Sequence, residues 1–342
     1  MTSGKAQIRN PRSEIQNPMI DQVLDPKNMK AAWLDVQANK GAPGVDEVTL
    51  ARWGRSWEAN LERLRAQVRS NTYRPNRPRR FKVLKKDGGY RELSILTVTD
   101  RVLQRAALRV LEPVFEQRFL HCSFGYRPGR SVANAVTAVV RCRERGLTWA
   151  LHADVQDCFD SLDHTVIMEH VRPAVSDPVV LALISRWLVV GAKRDPRTAV
   201  RNSLIQPRTA GLARAIPKSQ NPVGVPLGAV ISPLLCNVVL HQMDVDLTCA
   251  GWTLARYADD LVVMAATEAQ AYGAQAATEA ALGKLRLKLN PRKTRVTSFE
   301  QSFTFLGVEF QGDRYAYVRQ NKRIVVQGGT TRILYRQPPE FY

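Results

Sequence analysis

Hydrophobic positions recur at helical spacing through most of the chain and gather into short strand-like runs elsewhere. Residues 1–24 show neither pattern; the near-repeat of Ile8 to Pro11 in Ile15 to Pro18 reads as a polar, disordered tail. From Pro26 a helical period begins, breaks at NKGAPGVDEVTL (39–50) and resumes in SWEANLERLRAQVRS (56–70), where Ser56 can cap the helix. Pro75 and Pro78, among basic residues from Arg74 to Arg80, mark a linker, so 25–80 reads as an N-terminal helical extension. FKVLKKDGGYRELSIL (81–96) is a hairpin, two apolar runs turning at Asp87-Gly88-Gly89. The span 99–119 is a long amphipathic helix with Val102, Leu103, Ala106, Ala107, Val110, Leu111, Val114 and Phe115 on one face. Arg101, Arg105 and Arg109 lie on another, which reads as a solvated surface in preference to a nucleic-acid contact.

After the turn FGYRPGRS (124–131), the pattern gives a helix to about Gly146, a strand TWALHADV (148–155) and two short helices near 164–172 and 178–190. Residues 192–222 form a long basic loop, and loops of that length are usually functional or mobile. A helix opens at Ser232-Pro233 and runs to about Gly251. A strand pair (252–265), an Ala-rich helix (267–287) and β segments at 294–310 and 314–326 follow. The fold class is therefore mixed α+β, without the βαβ regularity or glycine fingerprint of a dinucleotide fold.

Composition sharpens this. Fifty Lys and Arg against 31 Asp and Glu give a formal charge of +19, which points to a polyanionic partner, nucleic acid above all. The five cysteines form no C-x-x-C pair and read as reduced, mostly buried thiols of a cytoplasmic protein. No apolar run suggests a signal segment or membrane insertion.

The chemistry concentrates in ARYADDLVVMAA (255–266), where Asp259 and Asp260 interrupt an apolar strand-forming run. Burying ionised carboxylates is expensive unless they are paired or hold a metal. Taken alone, Asp-Asp is an ordinary turn dipeptide, and Asp163 before His164 an ordinary helix cap. A second run, ALHADVQDCFDSLDH (150–164), carries Asp154 at the end of a strand in the same way. If the two strands are neighbours, three carboxylates converge, and oxygen-only ligands suit Mg²⁺ or Mn²⁺. Two such ions are the standard clamp for displacement at phosphorus.

YADD (257–260) resembles the Y-x-D-D motif of reverse transcriptases, and ADVQDCFDSLDH (153–164) their first catalytic aspartate motif, above all in group II intron-type enzymes. The resemblance continues in order through KGAPGVDEVT (40–49), LKKDGGYRELSILTVTDRVLQRA (84–106), SFGYRPGRSVANAV (123–136), GVPLGAVISPLLCNVVLHQMD (224–244), LKLNPRKT (287–294) and FTFLGVEF (303–310). It implies a right-hand polymerase of fingers (about 81–147 and 191–231) and palm (about 148–190 and 232–325), the palm carrying an antiparallel sheet packed on helices.

The resemblance also implies roles. Asp154, Asp259 and Asp260 would be the catalytic triad, holding two Mg²⁺ (or Mn²⁺) ions with the Val155 carbonyl as an extra ligand. Lys85, with Lys86 as the competing choice, and Arg91 would hold the incoming triphosphate. Phe159 would sit under the sugar and exclude a ribose 2′-hydroxyl, with core packing as its rival role. Leu227 stands where intron-type enzymes carry glutamine, so Leu227, Gly228 and Ala229 alter the nucleotide pocket. Tyr257, Lys293, Phe305, Leu306 and Gly307 match primer and template positions. The implied partners are an RNA template, a DNA or RNA primer and dNTPs. Residues 326–342 are too few for a full thumb, so a protein partner supplying thumb-like or integrase function, as in short CRISPR-adaptation or phage-defence lineages, is a further expectation. Two rivals are a catalytically silent RNA-binding, maturase-like protein and an RNA-dependent RNA polymerase, the latter disfavoured by Phe159.

Overall fold

A computed structural model describes residues 18–84, 88–192, 222–319 and 322–326. Lys85, Lys86 and nearly all of the basic loop expected at 192–222 lie outside the described residues.

The tail expected over 1–24 gives way to structure before its end: Met19–Val23 form helix α1. Val23 and Leu24 are fully buried, and the Ile20 N–H donates to the Asp177 carboxylate at 2.8 Å. Two apolar pairs four residues apart are too short a signal to register as a period; tertiary packing makes the helix. Helix α2 (Pro26–Ala38) is capped by Asp25, which accepts from the Lys27 and Asn28 amides. It buries Met29, Ala32, Trp33 and Val36 in the core shared with α5 (Val98–Glu116). The arginine stripe of α5 is only partly exposed and is engaged within the chain. Arg105 and Arg109 both reach Asp35 Oδ2, at 2.8 and 3.0 Å, and Arg101 donates to the Ala42 carbonyl at 2.9 Å. These bonds strap α2 and the loop after it onto α5. Helices α3 (Leu50–Gly54) and α4 (Trp57–Arg69) complete this region; Ser56 makes no side-chain cap, whereas Thr49 caps α3.

The hairpin β1 (Arg79–Leu84) and β2 (Tyr90–Ile95) stands as a two-stranded antiparallel sheet. The central sheet is antiparallel throughout, in the order β4 (Thr253–Tyr257), β5 (Asp260–Ala265), β3 (Trp149–Asp154) and β6 (Arg295–Ser298). Alternation assigns its two faces. Leu151, Ala153, Leu254, Leu261 and Val263 face α10 (Ser232–Cys249) and α11 (Glu268–Lys284). Ala150, Ala255, Val262 and Met264 face α6 (Val132–Glu144) and an aromatic layer from β7 (Phe303–Phe305) and β8 (Val308–Gln311). In that layer Phe303 and Phe310 stack at 5.1 Å. Strands β9 (Arg314–Arg319) and β10 (Lys322–Val326) extend the β7–β8 meander. Short helices α7 (Cys158–Ser161), α8 (His164–Val171) and α9 (Pro178–Gly191) join the first core. Of the five thiols only Cys158 and Cys236 are buried, and Cys249 is exposed. Among the described residues no helix is long and apolar enough to cross a membrane.

Among the described residues an arginine and an aspartate lie wholly inside as a pair. Arg256 is 0 % exposed, and all five of its N–H groups are used. They go to both oxygens of Asp244 (2.7 and 2.6 Å), to Asn237 Oδ1 (2.9 Å), to Ser123 Oγ (2.9 Å) and to the Ala258 carbonyl (2.9 Å). Burial works against its charge, and the Asp244 carboxylate outweighs that and holds it protonated.

Removing one partner strands a buried charge, so Arg256→Met should lower stability by about 3–5 kcal/mol, and the double variant Arg256→Met/Asp244→Leu should recover part of the loss. Urea unfolding midpoints measure both; equal losses would count against the pairing. A second expectation concerns acid. Burial lowers the pKa of His164, whose Nε2 bonds the Gly224 carbonyl at 2.8 Å while its Nδ1 has no hydrogen-bond partner among the described residues. The unfolded chain therefore binds more protons below about pH 6.5, and stability falls on acidification through that point. His164→Gln should flatten this part of a stability-against-pH curve.

Candidate active site

The pair Tyr257↔Asp260 closes the β4–β5 hairpin, leaving Ala258 and Asp259 as a two-residue turn. Ala258 takes φ +59°, a conformation unusual for a residue with a side chain. Three contacts hold it there. Arg256 donates to the Ala258 carbonyl, and the Val155 N–H donates to the Asp259 carbonyl at 3.1 Å. Gly125 passes so close beneath the turn that a Cβ on it would lie 2.5 Å from the Ala258 nitrogen. A glycine is required there by space rather than by φ.

Asp260 opens β5 opposite Asp154, the last residue of β3. Directly paired residues project from the same face, so Asp154 and Asp260 share the face of the aromatic layer, with Asp259 beside them in the turn. Burial, first, and then the nearby Asp154 push the Asp259 carboxyl upward; Asp260 adds to this, while the Asp259 backbone amide and Lys293 oppose it. Lys293 Nζ lies 3.4 and 3.3 Å from the two oxygens of Asp154, and Asn290 Nδ2 is 3.2 Å from the second. Asp260 is held separately by His152 Nε2 at 3.1 Å.

This donor set bears on a cation. Three carboxylates of one sign, with Asp259 resisting ionisation, suit a hard divalent ion that supplies positive charge. Yet among the described residues no three acid, His or Cys side chains stand together as a ready cation cage. Asp260 is turned toward His152. The fit is therefore to Asp154 and Asp259, the two that act on each other most strongly, with Val155 adjoining both.

The other expected residues divide. Arg91 is exposed on β2, on the same face as Phe81, Val83 and Leu93. Phe159, on α7, is half-buried and packs on the core, so part of its ring is structural. Leu227 and Gly228 grip the hairpin by backbone: the Ser94 N–H donates to the Leu227 carbonyl at 2.8 Å, and Gly228 takes φ +102°, with space for a Cβ closed 2.5 Å away by the Ser94 carbonyl. Tyr257 is half-buried against the aromatic layer. Phe305 is fully buried in that layer, out of reach of a primer; Leu306 (φ +52°) and Gly307 (φ +75°) form the turn beyond it. His152, Asn290, Arg256 and Gly125 are site residues the sequence reading missed. Strand alternation from Asp154 would have found His152, and an arginine inside an apolar run is itself a signal at Arg256.

Residues 83–310, more than half of the chain, match the family model described as Reverse transcriptase (RNA-dependent DNA polymerase). The chain is 30% identical over 311 residues to Protein YkfC of Escherichia coli (strain K12), covering 79% of this chain and 76% of that protein. It is 28% identical over 225 residues to the group II intron-encoded protein LtrA of Lactococcus lactis subsp. cremoris, covering 65% of this chain but 34% of LtrA, so it spans about a third of that relative's length. A chain of a solved partial Cas6-RT-Cas1–Cas2 complex is similar at TM-score 0.42 and 22% identity, over 79% of this chain and 42% of that one. A likeness at that level leaves the architecture to be read from the strands themselves. On the family match and the length of the shared sequence, the chain belongs to the reverse transcriptase family, with group II intron-encoded proteins among its relatives.

Proposed function

We propose that this protein is an RNA-directed DNA polymerase that extends a primer 3′-hydroxyl with dNTPs on an RNA template. The observation that supports the reading is the pairing of Asp154 with Asp260 across β3 and β5, with Asp259 in the adjoining turn, in a chain that matches the family described as RNA-dependent DNA polymerase. The central sheet with α10 and α11 is then the palm, and the β1–β2 hairpin belongs to the fingers. The formal charge of +19 suits a nucleic-acid substrate.

Asp154 and Asp259, with the Val155 carbonyl, would hold divalent cations. Two Mg²⁺ (or Mn²⁺) ions, when bound, supply charge neutralisation at the α-phosphate and the departing pyrophosphate. Lys293 neutralises Asp154 and is free to turn to an anionic substrate, being itself half exposed. Arg91 offers a guanidinium to the triphosphate. The exposed part of Phe159 would lie against the sugar, and Leu306-Gly307 against the primer. His152 keeps Asp260 oriented apart from the other two carboxylates.

A second reading, an RNA-binding protein of this fold without catalysis, is favoured by Leu227, whose side chain offers no hydrogen bond where relatives of the intron type carry glutamine.

Primer extension on an RNA template decides between them. Asp154→Asn and Asp259→Asn should each lower Mg²⁺-dependent dNTP incorporation by more than about a hundredfold, with template–primer affinity little changed. Asp260→Asn should lose less, because its carboxylate is tied to His152. A wild-type protein that binds RNA and never extends a primer would leave only the second reading, and an Asp259→Asn protein that extends one normally would remove Asp259 from the catalytic role. Phe159→Ala should raise ribonucleotide incorporation about tenfold; unchanged sugar selectivity would confine Phe159 to core packing.

A further inference from the structure

Beside Asp154 the strand register is irregular. Leu289 pairs with Val155 and Arg295 with His152, so the chain entering β6 carries more residues than β3 does between the two pairings. The surplus bulges out as Asn290-Pro291-Arg292-Lys293-Thr294, and a bulge at a strand end re-aims a side chain. Asn290 both opens and closes it. Its carbonyl accepts from the Lys293 and Thr294 amides at 3.1 and 2.9 Å, and its Oδ1 accepts from the Arg292 amide at 3.1 Å. Lys293 is thereby turned back over Asp154, with Nζ 3.4 and 3.3 Å from the two carboxylate oxygens.

The same asparagine grips Asp154 twice. Its N–H donates to the Asp154 carbonyl at 2.8 Å, and its Nδ2 donates to Asp154 Oδ2 at 3.2 Å. The amide cannot be turned the other way round. The Arg292 N–H can only donate, so the atom it meets is the oxygen, and the NH₂ group is left to the carboxylate. Charge then separates the two side chains that reach Asp154. Lys293 is half exposed and, being positive, competes with a cation for the same carboxylate. The Asn290 amide is neutral, so its bond to Oδ2 is compatible with a cation at Asp154. Hydrogen bonds of this kind orient a ligating carboxylate and tune its affinity.

We propose that Asn290 is a positioning residue for the cation-binding carboxylate of Asp154, acting through that side chain and not on the substrate. The inference rests on the polymerase reading above, and cation affinity at Asp154 is a consequence that can be measured apart from it.

Two variants divide the contacts. Asn290→Ser keeps a side-chain oxygen for the Arg292 amide, as serine does in such turns, and is too short to reach the Asp154 carboxylate. Asn290→Ala gives up both. Mn²⁺ binding to the full chain is followed by the paramagnetic resonance signal of the free ion, with Asp154→Asn as the protein lacking the site. Both Asn290 variants should bind Mn²⁺ about tenfold more weakly than the wild type. In primer extension both should lower kcat about tenfold, with KM for dNTP and template–primer affinity near the wild-type values. Only Asn290→Ala should lower the urea unfolding midpoint. Wild-type Mn²⁺ affinity in Asn290→Ser overturns the inference whatever its kcat, as does a wild type that binds Mn²⁺ no better than Asp154→Asn. A urea midpoint that falls as far in Asn290→Ser as in Asn290→Ala assigns the residue to the fold of the bulge and overturns it too. If both variants lose Mn²⁺ affinity and the wild type extends no primer, the positioning role stands and the polymerase reading falls. If the wild type extends primers and Asn290→Ser matches its Mn²⁺ affinity, the reverse holds.

Discussion

The buried guanidinium of Arg256 is the interaction on which the geometry of the site depends. A fully enclosed charge is tolerable only with every donor matched, and its five hydrogen bonds go to four residues in three parts of the chain: Ser123, Asn237 and Asp244 on α10, and the turn at Ala258. Through them one side chain fixes the spacing between α10, the segment at 122–125 and the β4–β5 hairpin. The backbone of Arg256 adds to this, donating to the Cys122 carbonyl and accepting from the Phe124 amide, each at 2.8 Å. The strained Ala258 and the tightly passing Gly125 are consequences of that frame. Asp259 is presented by a turn that cannot relax without breaking several buried hydrogen bonds at once.

The same economy links the hairpin to the central sheet. Leu227 and Gly228 act by backbone and by the absence of a Cβ, gripping β2 at Ser94. Leu227 offers no polar side-chain group, and its part here is played by its backbone carbonyl. The β1–β2 hairpin, which carries Arg91, is thereby tied to the segment that leads into α10.

The charge of the molecule is partly internal. Arg101, Arg105 and Arg109 spend their hydrogen bonds on Ala42 and Asp35, Arg127 on Glu116, and Arg256 on Asp244. Each ion pair removes one charge of each sign, so the formal excess of +19 stands and governs encounter with a polyanion.

Local pattern determined a good deal by itself. The amphipathic period of α5, the apolar runs of β3 and β5 and a tight turn between β4 and β5 were legible because each depends on residues a few positions apart, as was the order of motifs that marks the family, although the turn is Ala258-Asp259, with Asp260 already in β5. Tertiary structure decided the rest. Helix α1 forms because Val23 and Leu24 find a core, and the arginine stripe is tied to α2 because Asp35 stands there to receive Arg105 and Arg109. Phe305 is interior because the aromatic layer closes over it, and His152 joins the site because antiparallel register sets it diagonal to Asp260. Periodicity fixes which face a residue occupies; only packing between distant segments decides what that face meets, and for charged and aromatic side chains the partner settles the role.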